Sequence, residues 1–197
     1  MVGRGPQIVL ASSSPRRREL LDQIGVGYKA LSVDLDETIR EAERPERYVE
    51  RIAAEKSEGA LQLGAGGLPV LGADTAVVLD GVVMGKPRGR EEAFDMLARL
   101  SGRRHTVLSA VSLRAAGGRH WQALSETSVS FRIIQPIEMR AYWETGEPAD
   151  KAGGYAIQGL GAVFVKSIHG SFSGVVGLPL YETSLLLKEA GIFSLQT

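Results

Sequence analysis

Residues 70–87 read VLGADTAVVLDGVVMGKP. Two apolar, β-branched runs flank Asp80-Gly81, and an Asp-Gly pair in that setting signals a two-residue hairpin. The spacing predicts a strand over 70–79, a tight turn, and a returning strand from Val82. Upstream, Gln7 to Ala11 is a short apolar run suited to a buried strand. Ser12, Ser13 and Ser14 break it. Pro15 then stands where a helix favours its first residue, with Ser14 as N-cap and Gly25 as the stop. A strand–turn–helix opening followed by a hairpin argues against a purely parallel sheet. We expect an α/β fold, an elongated mixed β-sheet flanked by helices.

Working outward, a second helix is predicted from Pro45 to about Leu63. Tyr48, Ile52, Lys56 and Ala60 lie four apart on one face of it, so Lys56 interrupts an apolar stripe. Further helices are expected over 90–100, 136–145 and 179–190. Strands are expected over 105–114 and 121–134, around Ala-Ala-Gly-Gly. The glycine-rich stretch 147–179 holds one more predicted strand, 161–167. No linker divides the chain, so residues 1–197 read as a single domain, with two lobes around a cleft still compatible.

The totals narrow the function classes. The 197 residues contain 23 Lys plus Arg against 23 Asp plus Glu, so no bulk charge draws the chain to nucleic acid or membrane. There is no cysteine, which excludes disulfides and thiolate zinc sites. No apolar run approaches the ~20 residues of a membrane span, and the first residues lack the long apolar region of a signal peptide. A soluble, cytoplasmic protein is expected, without nucleic-acid or membrane partners. A homodimer is compatible with the sequence.

Several groups of residues look chemical. Ser12-Ser13-Ser14-Pro15-Arg16-Arg17-Arg18 sits between a strand end and a helix start, where free N–H groups and the helix dipole favour an anion. Serine hydroxyls and arginine forks suit phosphate oxygens. A capped helix with a solvated basic first turn would carry the same residues. Asp74 lies inside an apolar strand, which costs several kcal/mol unless the carboxylate is paired, hydrogen-bonded or metal-bound. Counting outward from the hairpin places Thr75 opposite Lys86, and a bulge near Gly85 would bring Lys86 onto the face of Asp74. An edge lysine against aggregation is the alternative for Lys86, and a snorkelling stem for Lys56. Asp34, Asp36 and Glu37 can share a hard cation or simply be solvated. Asp150, Lys151, Tyr155 and Gln158 fall in a glycine-rich segment where a ligand can approach closely, and a glutamine amide can read a nucleobase edge. The three histidines show no ligand spacing.

In order along the chain, LASSSPRRRELL (10–21), DLDET (34–38), LGADT (71–75), GKP (85–87), LSGRRHTV (100–107), GEPADKAGGYAIQG (146–159) and GSFSGVVGLPL (170–180) closely resemble the Maf family, also called septum-formation-inhibitor-like proteins. The resemblance implies a deep cleft in a fold similar to that of the inosine triphosphatases. It implies hydrolysis of a nucleoside triphosphate to monophosphate and pyrophosphate, with a divalent metal (Mg or Mn) as cofactor. By the same resemblance Ser12, Arg16, Arg17 and Lys56 belong to the triphosphate site. Asp74 is the base, Lys86 and Lys56 are charge-stabilising cations, and Glu37 with Asp74 is the metal-site pair. Asp-Lys-Ala-Gly and Ile-Gln-Gly resemble the branch acting on dTTP and UTP, with Arg16, Thr75 and Gln158 at the positions tied to that choice. The same chemistry on purine or 7-methyl-GTP substrates, or a nucleotide-sensing regulator of division, are the rivals. Gly89 departs from the family, which often has an acid after Lys-Pro, and Ser109-Ala110 replaces the usual Thr-Gly.

Overall fold

A computed structural model describes residues 5–192. Its centre is the 70–79 strand. Numbered in chain order, the strands are β1 (Ile8–Ala11), β2 (Tyr28–Ala30), β3 (Val70–Leu79), β4 (Val82–Met84), β5 (Arg104–Arg114), β6 (His120–Phe131) and β7 (Val165–His169). They form one seven-stranded sheet in the order β2-β1-β3-β5-β6-β7, with β4 paired to β3 as well. The pairs β1/β2 and β1/β3 are parallel and the others antiparallel, so the sheet is mixed, as expected.

The helices are α1 (Pro15–Gln23), α2 (Pro45–Gln62), α3 (Arg90–Leu100), α4 (Pro136–Glu144), α5 (Phe172–Val176) and α6 (Leu180–Glu189). Strand alternation sorts them onto two faces. Ala76 and Val78 of β3 pack with Val49 and Ala53 of α2. Leu71 and Ala73 pack with α1 and α6, and Val77 and Leu79 with α3. β3 is therefore buried on both faces, which explains its unbroken apolar run. Gly72 permits the closest approach. A methyl group there would lie 2.3 Å from the Ala53 carbonyl oxygen and 2.7 Å from the Ser57 nitrogen.

Two expectations are corrected. β4 pairs with β3 only over Val77↔Met84 to Leu79↔Val82, with no bulge. The turn itself is as expected, with positive φ at Asp80 (52°) and Gly81 (77°), the type I′ geometry. After Met84 the chain leaves the ladder, and the Gly85 carbonyl accepts the Gly153 N–H (3.0 Å). Lys86 is freed from alternation by the end of pairing, not by a bulge. The strand expected from Gly161 begins at Val165, preceded by a 3-10 turn over Leu160–Phe164. The cause is Glu147, whose carboxylate accepts the Leu160 and Gly161 N–H groups (2.9 and 3.0 Å) and so removes them from any ladder.

The pairings leave a gap beside β3. β1 covers residues 70–72 on one side and β4 covers 77–79. Between them, residues 73–76 have β5 on the other side and no strand on this one. Asp74 and Thr75 lie in that gap, facing the end of β1 and the start of α1.

Candidate active site

The gap opens into a cleft of about 500 Å³. Its walls come from the β1–α1 turn (Ser12, Arg16, Arg17), α2 (Lys56), β3 (Asp74, Thr75), the segment after β4 (Lys86), and the stretch carrying Gln158. Glu37 lines it too. The residues given roles by the family resemblance are thus brought to one cavity; of the acidic group only Glu37 lines it, while Asp34 and Asp36 do not and Asp36 accepts from Thr38 instead.

Asp74 is 6% exposed. Its Oδ1 accepts from Lys56 Nζ at 2.9 Å, and Nζ is 2.8 Å from Glu37 Oε1. One ammonium therefore bridges two carboxylates, which resolves both anomalies of the sequence. The lysine in the apolar stripe is the partner of the aspartate in the apolar strand. Asp74 Oδ2 has no hydrogen-bond partner among the described residues. Lys86 is exposed and lines the same cleft.

At the helix end, Ser14 occupies the N-cap position without a side-chain cap bond. Ser12 does not replace that cap: its Oγ accepts the Ser14 N–H and Arg17 Nη1, both at 3.1 Å, and among the described residues no side chain caps the first N–H groups of α1. Arg17 Nε donates to the Gly177 carbonyl at 2.9 Å. Burial lowers the Arg17 pKa, while Asp74 and Glu37 raise it. An arginine stays cationic under such a shift. The first turn of α1 contains no acid, so its three arginines oppose the dipole and depend on carboxylates across the cleft or on a bound anion.

The far wall is built around Glu147. Besides the two amides it accepts the Tyr142 hydroxyl (2.6 Å), which itself accepts the Ala156 N–H (3.0 Å). This fixes the backbone on either side of Gln158, whose side chain is exposed to the cleft. Asp150 contacts Lys151 and lies 3.9 Å from Arg16. Thr75 Oγ1 shares a 2.6 Å hydrogen bond with Ser109 and reaches the Gly177 carbonyl at 3.4 Å.

Sequence reading missed Tyr48, which lines the cleft with its hydroxyl pushed up to about 12 by burial, then by Asp74 and Glu37. It also missed the Gly177 carbonyl, for which no residue-type signal exists, and His105. That histidine is 3% exposed, with Nε2 2.8 Å from the Tyr155 hydroxyl and Nδ1 unpartnered. Burial pushes its pKa down from 6.5 to about 4. Between those values the unfolded chain holds the extra proton, so stability falls as the pH drops from about 6.5 to about 4. The expected loss from this group is up to about 3 kcal/mol. Urea unfolding across that range is expected to show it. His105→Gln is expected to flatten the curve, and an unchanged curve would mean that the pH dependence comes from other groups.

Among relatives, the dTTP/UTP pyrophosphatase of Methylococcus capsulatus is 54% identical over 186 residues, covering 94% of this chain and 92% of that protein. The dTTP/UTP pyrophosphatase of Alkalilimnicola ehrlichii is 53% identical over 189 residues, covering 93% of each. Among solved structures, the Staphylococcus aureus Ham1 protein overlays with a TM-score of 0.47 and 19% identity, over 63% of this chain and 71% of that one. A family model described as Maf-like protein matches residues 7–190. With that span matched and relatives above 50% identity along nearly its whole length, the chain belongs to the Maf-like protein family.

Proposed function

We propose that this protein hydrolyses dTTP and UTP to the monophosphate and pyrophosphate. The observation that carries the reading is the buried Asp74, one oxygen held by Lys56 and the other free, in a cleft that also gathers Arg16, Arg17 and Lys86. The names of the relatives support the substrate class. A triphosphate brings about four negative charges, and these cations suit it, being preorganised where charge develops. In this reading Ser12, Arg16 and Arg17 bind phosphate oxygens from the α1 side. Asp74 Oδ2 orients a water and takes its proton as oxygen attacks the α-phosphorus. Lys56 holds the Asp74 carboxylate in place, and Lys86 offsets charge on the departing pyrophosphate.

A divalent cation belongs to the proposal. Glu37 and Asp74 both reach one ammonium. That donor pair suits magnesium or manganese, which take one or two carboxylates and complete their shell with water and phosphate oxygens. The bound metal would supply charge neutralisation of the triphosphate. We also infer that residues 1–197 act as one unit, since the family match spans 7–190. Among the described residues no helix is long and apolar enough to cross a membrane; the cytoplasm is the site of action we propose.

Product analysis tests the chemistry. UTP with manganese or magnesium is expected to give UMP and pyrophosphate, and UDP with free phosphate would overturn attack at the α-phosphorus. Base choice is tested at Gln158. Its amide can donate to a carbonyl oxygen and accept from the ring N–H of uracil or thymine. A wrong base leaves such groups unpaired. Gln158→Ala is expected to reduce the ratio of UTP to GTP efficiency by roughly 10-fold, more than it lowers the best rate. An unchanged ratio would make Gln158 structural.

A further inference from the structure

Glu37 lies on a segment without regular structure. Residues 31–44 join β2 to α2, and residues 36–42 are all exposed. Nothing in their apolar content explains why Glu37 sits on Lys56. Two anchors bracket it. At the near end Val33 packs on α2, where its Cγ1 would be 2.7 Å from a methyl group added at Gly59. At the far end Arg51 of α2 grips Glu43 with both arms of its guanidinium, Nε to Oε1 at 2.6 Å and Nη2 to Oε2 at 2.7 Å. Arg51 Nη2 also donates to the Thr38 carbonyl at 3.1 Å, one residue past Glu37, and Nη1 reaches Glu55 at 3.2 Å.

Exposure decides which contact holds the segment. The Arg51 and Glu43 side chains are 13% and 9% exposed. The other tie, Arg40 to Glu55, is 66% and 34% exposed, so solvent screens it. A sheltered bidentate pair has the geometry that keeps its strength. The same pair holds the Glu43 carboxyl down at about 2, chiefly through the Arg51 hydrogen bonds. Glu43 Oε2 also accepts the Arg40 N–H at 3.0 Å. Between them Ala42 sits at φ 55°, a conformation that a non-glycine residue keeps only where surrounding contacts impose it.

We propose that Arg51 is a positioning residue that straps residues 36–43 to α2 and so holds Glu37 over Lys56 and Asp74. The part concerning catalysis rests on the function proposed above; the strap itself does not. Arg51 makes no hydrogen bond to a cleft group among the described residues; its guanidinium lies over the ring of Tyr48, 5.7 Å from the centroid. It acts through Glu37, and without it the carboxylate drifts from the ammonium.

Hydrogen exchange on the substrate-free protein tests the strap. In Arg51→Met, amides of residues 36–43 are expected to exchange at least about 10-fold faster, with α2 and β3 unchanged. Because Arg51→Met strands a sheltered Glu43, the double variant Arg51→Met/Glu43→Leu is measured alongside, removing both charges. Unchanged exchange over 36–43 in the folded double variant would overturn the proposal. Kinetics test the route. Arg51→Met is expected to lower kcat/KM for UTP about 10-fold alone, and less than about twofold when Glu37→Gln is already present. Equal losses in both backgrounds would overturn action through Glu37. A wild-type protein that hydrolysed no triphosphate would instead remove the proposed function, leaving exchange to decide the strap.

Discussion

Asp74→Asn is expected to lower turnover by at least about 10²-fold, the scale of a lost general base. The substitution keeps the shape of the side chain and removes its charge. The fold is expected to tolerate it, because Lys56 retains Glu37 as partner at 2.8 Å. A pair broken outright would cost ~3–5 kcal/mol; here two carboxylates share one ammonium, and losing one leaves a neutral pair. Substrate affinity is expected to change less than turnover, since Arg16, Arg17 and Lys86 remain. Steady-state rates on UTP alongside a urea melt would check both parts. A folded variant with near-normal turnover would remove Asp74 from the chemistry.

The second large effect is expected at a residue with no side chain. In Gly72→Ala the new methyl group meets the backbone of α2, the Ala53 carbonyl and the Ser57 nitrogen. No rotamer change relieves that overlap, so α2 must withdraw from β3. Overpacking of this kind costs about 1–3 kcal/mol. Lys56 is the neighbour of Ser57, so the shift also opens the Lys56–Asp74 pair. Misplacement by about 1 Å costs up to ~10²-fold, and we expect kcat/KM to fall roughly 10- to 100-fold. Gly89→Ala is the control, because an added methyl group there meets nothing within 4 Å. If Gly72→Ala kept both stability and rate, the spacing of α2 would not set the site.

Sequence reading succeeded where one local rule dominated. β3 runs over Val70–Leu79 as expected because it is long, apolar and closed by Asp-Gly. α2 follows its four-residue spacing from Pro45. The misses lie where distant contacts decide. β2 is three residues, Tyr28-Lys29-Ala30, half-exposed to exposed, and exists because β1 offers it an edge. α5 contains Gly174 and is set by Ser171, whose hydroxyl accepts the Gly174 N–H. The 160–164 turn follows from Glu147, more than ten residues earlier. At the site, the charges out of place in their own elements, Lys56 and Asp74, were legible as a conflict, and the fold resolves it by pairing them. Arg51 was not legible, since a basic residue on the polar side of a helix carries no mark of its partner.

The cleft also has an order of completion. Arg17 Nε finds its acceptor at Gly177, 160 positions later, and Thr75 leans on the same carbonyl. A chain emerging from the ribosome thus carries Arg17 and Thr75 long before the peptide whose carbonyl they share exists. Contacts of such long range form late and slowly. A nascent chain stalled before Gly177 would hold most of its sheet yet leave Arg17 with the Ser12 hydroxyl and without its carbonyl acceptor, so a peptide made late completes a geometry begun at the first strand.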